Sequence, residues 1–291
     1  MKQRLNFIGC GQLGKTLGSL WYNTDTLIIG QVLTRSMTSA QSAVSNIGAG
    51  EAIDNIADMH LAHLYLIACG DDDISDCSQQ LARTDLLREG DVVFHCSGAQ
   101  TSNLLAACKL KGASVASIHP IKSFANLDLA IASFAGTYCG MEGDDEALSI
   151  LTPLFTNIGA NLLPIRVEHK TLYHTASVIA SNYLVALQEL SINTFEKAGI
   201  SRPEAMAVLQ PIVSGTVDNI FRLGTSDALT GPIARGDNKI VSAQLAAMQE
   251  WDEDLATLYR ILGKLSVPLA MANGNAKTED LESIQRLLDQ R

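Results

Sequence analysis
The spacing of apolar positions changes once along this chain, near residue 165, and that change divides the sequence into halves of different texture. Before it, short and almost unbroken apolar runs at 5–9, 27–34, 64–69, 91–96, 114–120, 137–142 and 161–165 alternate with stretches of helical spacing. Those stretches lie at 13–22, 38–48, 73–86, 101–112 and 144–159. The runs read as strands and the stretches between them as helices. Strands this uniformly apolar are covered on both faces, so the pattern predicts a mainly parallel sheet wound with crossover helices. Ser, Thr or Asp opens several of the helices and Gly closes several, as the unpaired backbone groups at helix ends require.

Beyond 165 the strand runs stop. Residues 168–199, 202–224, 238–251 and 253–274 carry long helix-period patterns separated by Gly, Pro and Ser, and 277–291 adds a charged amphipathic helix that reads as a solvated face. The expected organisation is an α/β domain over 1–166 followed by an all-helical domain over 167–291. Length agrees, because a single core seldom grows beyond about 250 residues and the chain has 291.

Charge narrows the partners. With 31 acidic against 21 basic residues the net charge is −10, so the chain lacks the basic excess that nucleic acid or an anionic membrane would recruit. The N-terminus carries no signal-type apolar segment, and no apolar run approaches the ~18 residues of a membrane span. All six cysteines, Cys10, Cys69, Cys77, Cys96, Cys108 and Cys139, lie in the first half without a CxxC pair, and they read as reduced core thiols of a cytoplasmic protein.

The first strand run leads into Gly9, Gly11 and Gly14, a spacing that glycine-rich turns of other α/β folds also show. Its context makes it a candidate dinucleotide site. Gly9 makes the tight turn, Gly11 lets backbone approach a pyrophosphate, and Gly14 packs helix on strand, so amides around Gln12 and Leu13 and the positive helix end face the phosphates. After the second strand, where NAD proteins usually place a carboxylate, stand Thr34, Arg35 and Ser36. A guanidinium and hydroxyls suit a 2′-phosphate, so NADP(H) is expected, with NAD as the alternative and a solvated Arg35 as the plain reading.

Later strand ends offer further candidates, because ligands of open parallel sheets sit at that edge. Asp71, Asp72 and Asp73 read as helix N-terminal charge. Ser97 and Gly98 either line the nicotinamide side or close a turn. His119 and Lys122 either polarise a carbonyl and hold a carboxylate, or form a His-Pro turn beside a solvated Lys. Downstream, His174, Ser177, Ser181 and Asn182 gather on one helical stripe amid apolar residues, which makes either a hydrogen-bond network between helices or the wall of a substrate site. In the loop 229–237, with polar members Thr230, Arg235 and Asp237, Arg235 either clamps an anionic substrate group or pairs with Asp237. The candidate catalytic set is therefore His174, Asn182, His119 and Arg235, with His174 the first choice as proton donor and His119 the reserve. No nucleophilic triad is indicated, and His60 and His63 lack a third ligand at useful spacing, so no metal is expected.

The glycine motif at 7–18, Ser97-Gly98-Ala99, the segments 119–124 and 174–182, and the loop 229–237 together resemble the Rossmann-like NAD(P)-binding oxidoreductases whose helical C-terminal domain is of unknown function. That family is similar to pyrroline-5-carboxylate reductase and to the 6-phosphogluconate-dehydrogenase-like superfamily of β-hydroxyacid dehydrogenases. The resemblance spans nearly the whole chain. It implies a doubly wound, mainly parallel Rossmann-like sheet, a helical domain that dimerises, and an active site in the cleft between the domains, without implying a substrate; the function expected of that cleft is NADP(H)-dependent hydride transfer to or from a small polar carbonyl, imine or alcohol. The apolar and small residues at 181–190 and 241–251 point the same way, to a homodimer built on the C-terminal helices. β-Hydroxyacid dehydrogenases follow a catalytic Lys one helical turn later with Asn; here Lys170 is followed at that distance by His174, so Lys170 does not inherit the role. A non-catalytic NADP(H)-binding redox sensor and a deazaflavin-dependent reductase are the rival readings.

Overall fold
The computed structural model describes residues 2–290, which fall into two compact units divided between Leu184 and Val185. The first contains an eight-stranded sheet of β1 (Arg4–Ile8), β2 (Ile28–Leu33), β3 (Glu51–Ile53), β4 (Leu64–Ile67), β5 (Val92–His95), β6 (Ser114–Pro120), β7 (Tyr138–Gly143) and β8 (Asn161–Pro164). The spatial order is β3-β2-β1-β4-β5-β6-β7-β8, and every neighbouring pair is parallel except β6 with β7. Its helices are α1 (Gln12–Asn23), α2 (Met37–Ile47), α3 (Ile74–Ala82), α4 (Ala106–Lys109), α5 (Leu127–Ala132), α6 (Asp145–Asn157) and α7 (Lys170–Ala180). The seven expected strands are present. β3 and α5, at three and six residues, are too short for an apolar period to announce them.

Side chains alternate along the central strands, which explains the near-continuous apolar runs. Leu5, Phe7, Leu64, Leu66, Val92 and Phe94 enter one core with Leu17 and Trp21 of α1 and Leu151 and Phe155 of α6. Tyr65, Ile67 and Val93 point the other way, into a second core with Ile74 and Leu81 of α3 and Cys108 of α4. Trp21 is fixed within the first by its indole N–H, which donates to the Leu154 carbonyl at 3.0 Å, and by edge-on packing against Phe94 and Phe155.

The second unit is helical: α8 (Asn182–Lys197), which starts just before the division, then α9 (Arg202–Leu223), α10 (Thr225–Ala228), α11 (Gly231–Ala234), α12 (Asn238–Trp251), α13 (Glu253–Asn273) and α14 (Thr278–Asp289). Ser201 opens α9 with its N–H donating to Glu204, and Asp237 and Asp252 cap α12 and α13. Val241, Val267, Ala270, Leu281, Ile284 and Leu288 form its core. α13 has the length and mean hydropathy of a membrane span, yet it buries Ala256, Arg260, Val267 and Ala270 and packs against α11, α12 and α14 as a bundle helix does.

The pattern at 168–199 reads as one helix, but it is interrupted at Ser181, a turn residue between α7 and α8 that stays in the right-handed region with its φ widened to −111° (ψ −66°). The division at Leu184 also falls later than the change of sequence texture. The reason is tertiary: Lys170 and Tyr173 tie α7 to strands β6 and β7, so this helix belongs with the sheet although its own pattern is helical.

Candidate active site
Strand order reverses where β1 lies between β2 and β4, and the connections there diverge to opposite sides, which leaves a crevice at the strands' C-terminal ends. A cleft of about 840 Å³ occupies it, lined by Gly9, Gly11, Gln12 and Leu13 after β1, Thr34 and Arg35 after β2, Asp54 and Asn55 after β3, and Cys69 after β4. Gly9 has φ +77°, and a Cβ there would lie 2.7 Å from the Cys69 amide nitrogen, so only glycine fits the turn. Gly11 faces open space and heads α1 without a side-chain cap, leaving helix-end N–H groups for a ligand. At Gly14 a Cβ would meet Cys10 Sγ at 3.1 Å and Ala68 at 3.3 Å, and its absence lets α1 approach β4. Backbone turn, open amides and close helix approach together fit a pyrophosphate.

Arg35 and Ser39 stand together on the cleft wall. Ser36 is otherwise engaged: its hydroxyl caps α2 by accepting from the Ser39 N–H at 3.3 Å, and its carbonyl accepts from the Thr34 hydroxyl at 2.8 Å. Asp71–Asp73 forms a short 3-10 turn leading into α3, with Asp73 on the cleft rim. Cys10, Cys69 and Cys77 are half-buried and line the cleft, which corrects their reading as core thiols; Cys96, Cys108 and Cys139 are buried, and all six are free.

A second cluster forms where β5, β6 and α7 meet. His119, at the end of β6, bonds the Tyr173 hydroxyl through Nδ1 at 2.9 Å, which leaves Nε2 for another partner. The His119 and His174 rings stand edge-on at 5.5 Å between centroids, and both crowd Gly98: a Cβ there would lie 2.4 Å from His174 Nδ1 and 2.8 Å from His119 Nε2. Gly140 likewise makes room for Tyr173, its would-be Cβ lying 2.4 Å from the hydroxyl. His174 Nδ1 is buried and has no hydrogen-bond partner among the described residues. A buried imidazole nitrogen without a partner is a position that a ligand or a bound water would satisfy.

Charge beneath this cluster is arranged by a fully buried network. The Lys170 ammonium donates to Glu142 at 2.8 Å and to the Ser117 hydroxyl, and Glu142 also accepts from the Ser102 N–H at 2.9 Å and hydroxyl at 2.6 Å. Burial draws the Lys170 pKa down from its ordinary value, against the Glu142 carboxylate, which holds it up. Burial first, then the nearby His174 and Lys170, hold His119 at about 4, so its ring is neutral near pH 7. His95, beneath, is also held at about 4 by burial and then Lys170; its Nδ1 accepts from the Ser97 N–H and its Nε2 donates to the Thr101 carbonyl.

The sequence candidates therefore separate. His119, His174 and Gly98 come together, whereas Ser97 serves a turn, its hydroxyl accepting from the Gln100 N–H at 3.0 Å. Lys122 is drawn to the Ser133 carbonyl and hydroxyl. Asn182 is exposed at the start of α8, and Arg235 is exposed in the second unit, where Asp237 caps α12 instead of pairing with it. His63 accepts from the Arg4 N–H through Nδ1, and no group of three metal-ligating side chains stands together among the described residues. Sequence reasoning overlooked Tyr173, Glu142, Ser39 and His95. Only Tyr173 left a signal, as a polar neighbour of His174 on the same helix.

Residues 2–120 match the Rossmann-like domain family, and 137–265 match the domain of unknown function DUF2520. No curated protein matches the chain. Among solved structures, a Thermotoga maritima protein is 30% identical, with TM-score 0.71, over 93% of this chain and 99% of its own. A candidate NADP oxidoreductase from Bacteroides fragilis shares 20% identity, with TM-score 0.73, over 91% of this chain and 98% of its own. A pyrroline-5-carboxylate reductase from Coxiella burnetii shares 15% identity, with TM-score 0.60, over 96% of this chain and 100% of its own, a likeness of fold. With a relative this similar along its whole length and both halves matched in order, the chain belongs to the family that joins a Rossmann-like domain to DUF2520.

Proposed function
We propose that this protein is an NADP(H)-dependent oxidoreductase that transfers hydride to or from a small polar carbonyl, imine or alcohol group. The observation that carries the reading is the pairing of two features on one sheet edge. The glycine-lined cleft has Arg35 and Ser39 on its wall, and the His119–His174 pair stands at Gly98, with the buried His174 nitrogen unpartnered. The Bacteroides fragilis neighbour, described as a candidate NADP oxidoreductase, is consistent with it.

The amides around Gly11, Gln12 and Leu13 hold the pyrophosphate, and Arg35 with Ser39 meets the 2′-phosphate. Bound there, the nicotinamide supplies or accepts the hydride. His174 exchanges the proton with the reacting oxygen or nitrogen. His119, neutral and oriented by Tyr173, offers Nε2 as a hydrogen-bonding group that fixes the substrate's polar atom. Gly98 keeps both rings close, since any side chain there would displace them.

Binding measured by calorimetry tests the cofactor. NADPH is expected to bind more tightly than NADH, and Arg35→Ala to weaken NADPH by roughly tenfold or more, about 1.5–3 kcal/mol, while leaving NADH nearly unchanged. Equal losses for both dinucleotides would remove Arg35 from the phosphate site. A panel of ketones, imines and 2-hydroxy or 2-amino acids, followed by NADPH absorbance, then tests the chemistry. Tight NADPH binding without turnover of any of them would favour the redox-sensor reading.

A further inference from the structure
A second cavity lies within the helical unit, between α13 and the end of α14. It holds about 350 Å³, near the lower end of the range of about 300–1,000 Å³ in which small-molecule sites fall. Arg260 of α13 lines it and is only 7% exposed. Its hydrogen bonds among the described residues leave from Nη1, to Glu253 at 3.1 Å and to the Thr257 hydroxyl at 3.5 Å, while Nε is buried and has no partner. Both acceptors stand on α13 itself, so these bonds tie the helix to no other. A buried donor without an acceptor burdens the folded state, and a well-packed apolar side chain would serve the bundle as well or better.

We propose that this cavity binds a small organic monocarboxylate, whose carboxylate takes the Nε–Nη2 edge of Arg260 and whose hydrocarbon body lies on Ile261 and Leu288. That edge carries two parallel N–H groups matched to the two oxygens of a carboxylate, the bidentate geometry for which a guanidinium is suited. Nε is closed to water as it stands, so the ligand draws the guanidinium round into the cavity while Glu253, whose side chain is 65% exposed, returns to solvent. Charge limits the ligand. Arg260 and Lys264 line the cavity with Glu253 and Asp289, and Lys264 is already paired with Asp289 at 2.8 Å. The signs balance, so the cavity offers one unengaged donor edge and no excess of positive charge. A single carboxylate suits that edge, whereas a multiply charged phosphate would be repelled by Glu253 and Asp289.

The apolar wall is built by a close helix approach. At Gly263 a Cβ would lie 2.9 Å from Leu288 Cδ1, so glycine there lets α14 close on α13, and Leu288 and Ile261 both face the cavity. A hydrocarbon body laid on them leaves water. An uncharged amide of the same shape would keep that contact and lose the charge-assisted pair with Arg260, which separates anion recognition from simple filling of an apolar hollow. Because the ligand binds the folded unit alone, it raises the unit's unfolding midpoint.

The experiment titrates the full chain with hexanoate, hexanamide and inorganic phosphate, followed by calorimetry and by the NMR signals of the arginine Nε–H groups, with that of Arg260 assigned through its side-chain carbons. Hexanoate is expected to bind and to shift the Arg260 Nε–H signal, with hexanamide and phosphate at least about tenfold weaker. Arg260→Met should weaken hexanoate by about tenfold or more, for loss of the charge-assisted pair. Glu253→Gln, on an exposed side chain, should tighten it several-fold, because a competing carboxylate is gone. An Arg260 signal that hexanoate leaves unmoved, or no hexanoate binding at all, overturns the site, and both are read on the unaltered protein whether or not Arg260→Met folds. Hexanamide binding as tightly as hexanoate overturns recognition of the anion, and phosphate binding more tightly than hexanoate overturns the monocarboxylate. Weaker binding in Glu253→Gln would make the Arg260–Glu253 pair a structural unit and overturn the exchange of partners.

Discussion

Acidification should destabilise the first unit well above the pH at which carboxylates titrate, because two of its histidines are folded in neutral form. His95 and His119 are each held at about 4, against about 6.5 for an unperturbed imidazole, with burial the leading cause for both. Between these values the unfolded chain binds more protons than the folded one. Their contribution is therefore fully present above pH about 6.5 and is lost as pH falls toward 4. At pH about 5 the depression amounts to about 2 kcal/mol for each histidine, hence roughly 2–4 kcal/mol for the pair once their shared neighbour Lys170 is allowed for. Against a typical 5–15 kcal/mol for a domain, that is a large fraction. Trp21 is buried in this unit and the chain's other tryptophan, Trp251, lies in the second, so Trp251→Phe isolates the relevant fluorescence. Urea midpoints measured on that background should hold steady from pH about 8 to 7 and drop steeply from 6.5 to 5. Adding His119→Asn should remove about half of the drop. A midpoint that stays level down to pH about 5, or a drop that His119→Asn leaves untouched, would refute the account of a neutral, desolvated His119.

Other consequences follow from the same geometry. Gly98→Ala should cost a modest ~1–3 kcal/mol, since its new methyl meets side-chain rather than backbone atoms, but it should push the His119 and His174 rings apart; NMR titration would then show His119 moving up toward the ordinary imidazole range. Lys170→Met should destabilise the first unit by about 3–5 kcal/mol, because Glu142 is left charged and buried without its cation; chemical denaturation measures it, and a neutral outcome would mean that water reaches the carboxylate. A homodimer is expected from the second unit, where the 22-residue α9 buries only Ala205 and leaves Met206, Ile212 and Phe221 exposed; a monomer in sedimentation at micromolar concentration would contradict it.

Periodicity determined the alternating α/β half, the helical half and the glycine turn, because each is written in neighbouring residues: two-residue alternation, helical spacing, and a φ that only glycine tolerates readily. It determined the position of Arg35 after β2 for the same reason. What it could not determine is which side chains distant in sequence share a point in space. Gly98, His119, Tyr173 and His174 meet only because parallel pairing aligns the end of β5 with β6 and because α7 is moored to the sheet. The mooring is the Lys170–Glu142 pair, and nothing local marks a lysine at the start of an amphipathic helix as fully buried. Burial likewise decided protonation: one imidazole type, with one ordinary pKa, becomes a neutral ring at His95 and His119 because their surroundings exclude water and place an ammonium nearby. Local spacing encodes elements, whereas the titration state and partners of a side chain belong to the packed structure.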